Sequence, residues 1–274
     1  MERSRFYWVW GVVVCIGAII SILFIGAPLQ YIFGLWGLLM TELVLLAYTA
    51  GAASHLHVSA GEMFRIYKPT FRQVAGIVVM VMSGVILAGT AGQVYYALFP
   101  EQIRNLDAFS DLFRSEHNLI AWLIVALSPA ICEEALHRGL ILQTFIQSGL
   151  KNRWLIIIGN GLLFGLFHLD PSRFFSTGIL GMILAFIMLE TRNFALPVLY
   201  HLLNNSFSLF VNLASSGGAS AIPAAGEAAA EGAGSMLGVF FILSAAALLT
   251  LRLGAKLIRL PASTVSGEHE GSLS

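Results

Sequence analysis

Charge is what this sequence has least of. Charged residues fill 11% of its 274 positions, against about 25% in an ordinary soluble domain. The shortage runs along the whole length, so water is not the solvent for most side chains. Neither sign dominates, because 15 basic residues balance 15 acidic ones. That removes the basic footprint a nucleic-acid partner requires. Cysteine is nearly missing too. Cys15 and Cys132 both fall in apolar runs and read as small buried hydrophobes, not as a disulfide or a cysteine-based metal site. The chain has no Gly-rich phosphate loop, no internal repeat and no interleaving of aromatic with basic residues.

What fills the space is apolar, at 57% of residues. A helix needs about 20 apolar residues to cross the hydrocarbon core of a bilayer. Eight stretches approach that length: 8–26, 31–53, 73–99, 118–147, 154–169, 174–190, 194–213 and 236–258. The expected fold is an all-α, polytopic transmembrane helix bundle of about eight spans. The first run is too long for a signal peptide and reads as a membrane anchor. The tight connection around Pro28 predicts a hairpin of the first two spans. With the N-terminus inside, alternation places eleven Lys and Arg residues inside and three outside, as the positive-inside rule requires, so both termini are expected in the cytoplasm. Residues 1–260 form one transmembrane domain, with 261–274 as a disordered cytoplasmic tail. Residues 100–117 suit an amphipathic surface helix. Residues 214–235, rich in Gly, Ala and Ser, read as a flexible linker.

Few residues in the spans do not belong in lipid: Glu42, Glu133, Glu134, His137, Arg138, His168 and His201. Ionisable groups at such depth face the bundle interior, pair, or do chemistry. Glu134 and Arg138 stand four apart in the favourable acid-first order, so Glu134 can neutralise Arg138. Glu133 projects about 100° away around the helix. It is free to meet His137 or a group on another helix. Pro129, one turn earlier, should bend this span and free a carbonyl. His168 ends the fifth span, one turn after Phe164. His201 and Asn205 share a face of the seventh, which Asn193 can cap. A carboxylate and two imidazoles from three helices can activate a water, hold a divalent metal, or steady an oxyanion. The bland reading of each is a polar cluster that glues helices together.

Three patterns stand in order, each on its own span: Glu133-Glu134-Ala-Leu-His-Arg138, Phe164-Gly-Leu-Phe-His168 and His201-Leu-Leu-Asn-Asn205. They resemble the E-E-x-x-x-R, F-x-x-x-H and H-x-x-x-N motifs of the CPBP family, the type II CAAX prenyl endopeptidases and their bacterial Abi-like relatives. The resemblance covers about 118–213, the expected catalytic core. It implies peptide-bond hydrolysis in or beside the membrane. Glu133 would activate water with the help of His168, and His201 and Asn205 would complete the site beside Glu134 and its ion pair with Arg138. The family is filed with metalloproteases, which implies a divalent metal, zinc above all, held by Glu133, His168 and His201. A metal-free glutamate mechanism has also been argued for it. No H-E-x-x-H helix is present, so the chain does not resemble the other class of CAAX protease.

The implied partners are the lipid bilayer and a membrane-embedded or membrane-tethered peptide. Eukaryotic relatives act on a prenylated C-terminal peptide. A bacterial member would act on another substrate, such as a leader peptide or a signal fragment, in the cell membrane. Two other readings stand beside hydrolysis: a scaffold or immunity factor of the same fold, and a proton-coupled transporter. Transport predicts two similar halves, and no repeat is found. Glu42 has no motif role and is expected to pair with Arg138 or a histidine, or to hydrogen-bond while protonated. Its Gln variant should then lose folding yield more than activity. One conflict remains in the counting. Glu133 falls mid-span and His201 in the cytoplasmic half, but His168 falls near the outer end of its span. Either the fifth span tilts or residues 169–174 dip into the bundle.

Overall fold

The computed structural model describes residues 6–99, 118–217 and 225–259. Eight long helical segments match the eight apolar stretches: α1 Trp8–Phe33, α2 Leu35–His55, α3 Phe71–Leu98, α4 Leu119–Gln147, α5 Arg153–Phe167, α6 Pro171–Thr191, α7 Ala195–Gly217 and α8 Ala225–Ile258. No strand occurs among the described residues. Six of these helices are long and apolar enough to cross a membrane, and the protein is an all-α membrane bundle. α5 has only 15 residues, and α7 is interrupted by His201, Asn204 and Asn205. The expected surface helix at 100–117 and the tail at 261–274 lie outside the described residues.

Two expectations are corrected. The first hairpin does not turn at Pro28. α1 continues through that proline to Phe33, and the chain reverses at Gly34, whose φ of 54° suits glycine. The helix tolerates Pro28 because a wide π turn, Ile22–Gly26, precedes it, with the Ala27 N–H reaching back five residues to Ile22 O. The wider turn makes room where a proline ring would strike the preceding turn. The linker reading of 214–235 also fails for most of its length, because residues up to Gly217 and from Ala225 are helical. Alanine, which made the segment look like a linker, is the strongest helix former.

Small residues set the closest crossings. On α5 and α6, Gly161 and Gly165 face Gly178, Gly181 and the backbone of Phe174, so the two backbones approach closely there. Gly76 of α3 approaches Gly254 of α8 in the same way. Hydroxyl pairs tie that second crossing, Ser83 to Thr250 and Thr90 to Ser244, each at 2.8 Å.

The loop ends meet as the charge alternation requires. Glu190 accepts from both Arg153 (2.5 Å) and Arg259 (2.7 Å). Arg72 donates to Lys256 O, and the Phe194 N–H donates to Arg65 O. Asn193 exchanges two hydrogen bonds with the backbone of Tyr67 and also caps α7, accepting from the Ala195 N–H. Basic residues assigned to one side of the membrane are thus gathered at one end of the bundle.

Candidate active site

Sequence disrupts α4 twice, and both disruptions bear on the site. Pro129 has no N–H to give. The turn before it, Leu123–Leu127, widens so that the Ser128 N–H reaches Leu123 O. The Ser128 hydroxyl takes up the Ile124 carbonyl at 2.7 Å, so the carbonyl expected to be freed by the proline is used within its own helix. Seven ordinary helical residues follow, Ser128–Glu134, ending in the two glutamates. A second wide turn, Ala135–Ile141, then carries His137 and Arg138. Wide turns inside helices often mark functional positions.

The two glutamates have different surroundings. Glu134 is fully buried. Its Oε1 accepts from Arg138 Nη1 at 2.9 Å and from His201 Nδ1 at 2.9 Å. Arg138 is equally buried, donates through Nη2 to Gly181 O at 2.9 Å, and lies 4.5 Å over the Phe164 ring. That bond needs a bare backbone on α6, which the glycine supplies. Glu133 makes none of these hydrogen bonds. Its Oε2 has no hydrogen bond and lies 3.9 Å from His201 Nε2, too far for one. His201 therefore holds Glu134 with one ring nitrogen and faces Glu133 with the other.

Phe164 links the groups. Its carbonyl accepts from His168 Nδ1 at 2.8 Å. Its buried ring meets His137, His168 and His201 edge-on, with centroids 4.9, 5.0 and 5.8 Å away. The sequence places Phe164 one turn from His168 but gives no hint of this packing. His137 does not meet Glu133. It lies between Phe164 and Phe167, with neither ring nitrogen hydrogen-bonded.

Glu133, His168, His201 and Asn205 line one cavity of about 650 Å³, together with Pro129. The depth conflict is thereby resolved. A 15-residue helix rises about 22 Å, short of a hydrocarbon core about 30 Å thick. α5 ends before it has crossed, and its last turn delivers His168 to the cavity. The chain reverses at Leu169 (φ 53°), and Asp170 caps α6 through the Ser172 N–H. Ser172, Arg173, Ser176 and Thr177 line the same cavity, so the start of α6 borders it, although Leu169 and Pro171 are exposed. Glu42 lines it as well. It makes no pair with Arg138 or a histidine, contrary to the sequence-based expectation, because Glu134 and Gly181 already occupy Arg138.

The donor chemistry suits a divalent ion. His168 and His201 each use Nδ1 on an acceptor, which fixes the ring and leaves Nε2 with its lone pair, as metal-ligating histidines do. The spacing does not suit one. Among the described residues no three His, Cys, Asp or Glu side chains gather closely enough to hold a metal. As arranged, Glu133, His168 and His201 do not fit a three-ligand site, and no step proposed for them passes through a metal.

Fold and site together define an integral membrane protein with a carboxylate–histidine cavity inside its helix bundle. Residues 115–207, about a third of the chain, match the family model described as Type II CAAX prenyl endopeptidase Rce1-like, so this part of the chain is similar to that family. The matched segment contains all three motifs. No curated protein and no solved structure matches the chain.

Proposed function

We propose that this protein is an intramembrane endopeptidase that hydrolyses a peptide bond of a membrane-embedded or membrane-tethered polypeptide. One observation carries the reading. Of two adjacent buried glutamates, Glu134 is held through Oε1 by Arg138 and His201 and does not line the cavity, while Glu133 lines it with an Oε2 that makes no hydrogen bond. An unpartnered carboxylate beside a space that admits water is what general-base catalysis needs. Glu133 removes a proton from water, and the water oxygen adds to the scissile carbonyl carbon. The Asn205 amide, whose oxygen accepts from Asn204 at 3.4 Å, donates to the developing oxyanion. His168 and His201 present Nε2 lone pairs that orient the water. Glu134 and Arg138 hold His201 in place and touch no substrate.

The family match over residues 115–207 supports proteolysis as the reaction class. The substrate is best sought directly. Membranes from cells carrying the wild type or Glu133→Ala, compared by terminal proteomics, should differ in one or a few uncleaved polypeptides that accumulate with the variant. Identical termini, with both proteins inserted at equal levels, would refute hydrolysis and favour a scaffold that acts by binding. Metal analysis of the pure protein, with and without a strong chelator, separates metal-assisted from metal-free hydrolysis.

A further inference from the structure

Proton bookkeeping in the cavity leaves room for a second acid. The Phe164 carbonyl can only accept, so His168 Nδ1 carries the proton of that 2.8 Å bond. Glu134 is the acceptor from Arg138, and His201 Nδ1 is the donor to the same oxygen. Neutral imidazoles with protonated Nδ1 offer only lone pairs at Nε2. Glu133, as the base, also needs its lone pair. Water, two imidazoles and a carboxylate can thus begin hydrolysis, and of the three side chains only Glu133, once it holds the water proton, can return one to the departing nitrogen. An amide nitrogen does not leave as an anion, so a proton donor is required.

Glu42 is placed to supply it. It comes from α2, outside the matched family segment, and lines the same cavity as Glu133. The residue is only 5% exposed, and its Oε2 has no hydrogen-bond partner. Among the described residues no salt bridge joins it to a cation. Around the cavity the titratable groups are Tyr96 of α3, Glu133 of α4, His168 at the end of α5, Arg173 of α6 and His201 of α7. Arg173 already pairs with Asp170 at 3.3 Å. Two carboxyl groups lining one cavity can divide the work of an acid and a base.

We infer that Glu42 is the acid partner of Glu133, giving its proton to the leaving nitrogen while Glu133 takes one from water. This inference rests on the peptidase reading. In the full cycle, the water oxygen bonds to the carbonyl carbon and Glu133 gains the water proton. The carbon–nitrogen bond then breaks as the Glu42 proton moves to nitrogen, releasing an amine and a carboxyl product. The proton on Glu133 passes to Glu42, and both groups return to their starting states. Water and amide are consumed, acid and amine are formed, and no oxidant or cofactor enters.

The test uses internally quenched apolar peptides, reconstituted in liposomes with the full chain. One cleaved peptide is mapped by mass spectrometry and remade as its depsipeptide, with an ester at the cut bond. An alkoxide leaves far more readily than an amide anion, so an ester depends less on the acid. Glu42→Gln should lower kcat on the amide about 100-fold, within the range of general-acid effects, and on the ester by less than about 5-fold. Glu42→Asp, which keeps a carboxyl group, should recover part of the amide activity. Glu42→Leu serves the same comparison if the Gln variant does not purify. Equal losses on amide and ester, or no loss on either, overturn the inference while leaving the peptidase reading intact. A wild type that cuts none of the peptides, with a mapped substrate from the proteomic comparison also uncut, overturns both.

Discussion

The middle helices α4–α7 and the flanking helices α1–α3 and α8 handle polarity in opposite ways. In the most apolar windows of α4 and α6, 56% and 50% of residues are buried; in α1 and α8 the figures are 22% and 17%. The middle is enclosed by protein, and the flanks mostly face lipid. Polar contacts follow that division. Between flanking helices, apart from the bond of Arg72 to Lys256 O at the helix ends, they are neutral: Tyr48 donates to Val14 O, Thr41 to Gly26 O, and Ser83 pairs with Thr250. In the middle they are ionic and linked through Glu134, Arg138 and His201. A hydroxyl–carbonyl bond glues helices and needs no proton to move. A buried charge network is costly, and its presence calls for a role beyond gluing. Glu42 crosses the division, a flank residue with a middle-type side chain.

The largest expected effect tests the difference between the two glutamates. Glu133→Gln keeps shape and removes the base. It should reduce cleavage of the mapped peptide about 1,000-fold or more while insertion and purification stay normal. If turnover survives, the general-base assignment fails. Next comes Arg138→Ala, which leaves Glu134 buried and uncompensated. Loss of one partner from a buried pair costs about 3–5 kcal/mol. The variant should purify poorly or melt early, and a thermal denaturation curve unchanged from the wild type would show that the network is not structural.

How far these contrasts were legible in the sequence depends on their range. Glu134 and Arg138 sit one helical turn apart, so their pairing follows from spacing alone, and the structure contains it. The motif residues were identifiable by type and order. His201 holding Glu134, with Glu133 left beside its other nitrogen, was not readable, because it depends on how α7 rotates against α4. The depth of His168 was misjudged by treating the fifth run as a full span; its end at Phe167 is set by Leu169 and by the Asp170 cap. The hairpin at Gly34 was missed because proline is a stronger sequence signal than glycine, and the wide turn that accommodates Pro28 leaves no pattern in composition. Glu42 was visible as an anomaly, but its address in the cavity required the fold.

A middle-sized effect concerns the contact that brings α5 to α6. A Cβ at Gly165 would meet the Phe174 carbonyl and the Gly178 backbone. Backbone cannot swing aside as a side chain can, so Gly165→Ala should force the helices apart at a cost of about 1–3 kcal/mol. His168 lies three residues beyond, and its cavity position depends on the same crossing. The variant should therefore lower both the melting temperature and kcat. A drop in melting temperature with unchanged kcat would uncouple the crossing from the site.

The smallest effect probes the flank. Ser83→Ala deletes the hydroxyl that pairs with Thr250 at 2.8 Å, but the serine also bonds to Val79 O one turn earlier, so it adds one interhelical contact. Such bonds inside membranes average about 0.6 kcal/mol, since the separated helices find other partners. Thr250 retains that chance, because its own hydroxyl bonds to Ala246 O and Ala247 O. Unfolding of the variant should shift by about that 0.6 kcal/mol, and kcat and KM on the mapped peptide should match the wild type. A tenfold loss of turnover would mean that the α3–α8 crossing takes part in the reaction. The division between a reacting middle and a structural flank would then fail at a second place besides Glu42.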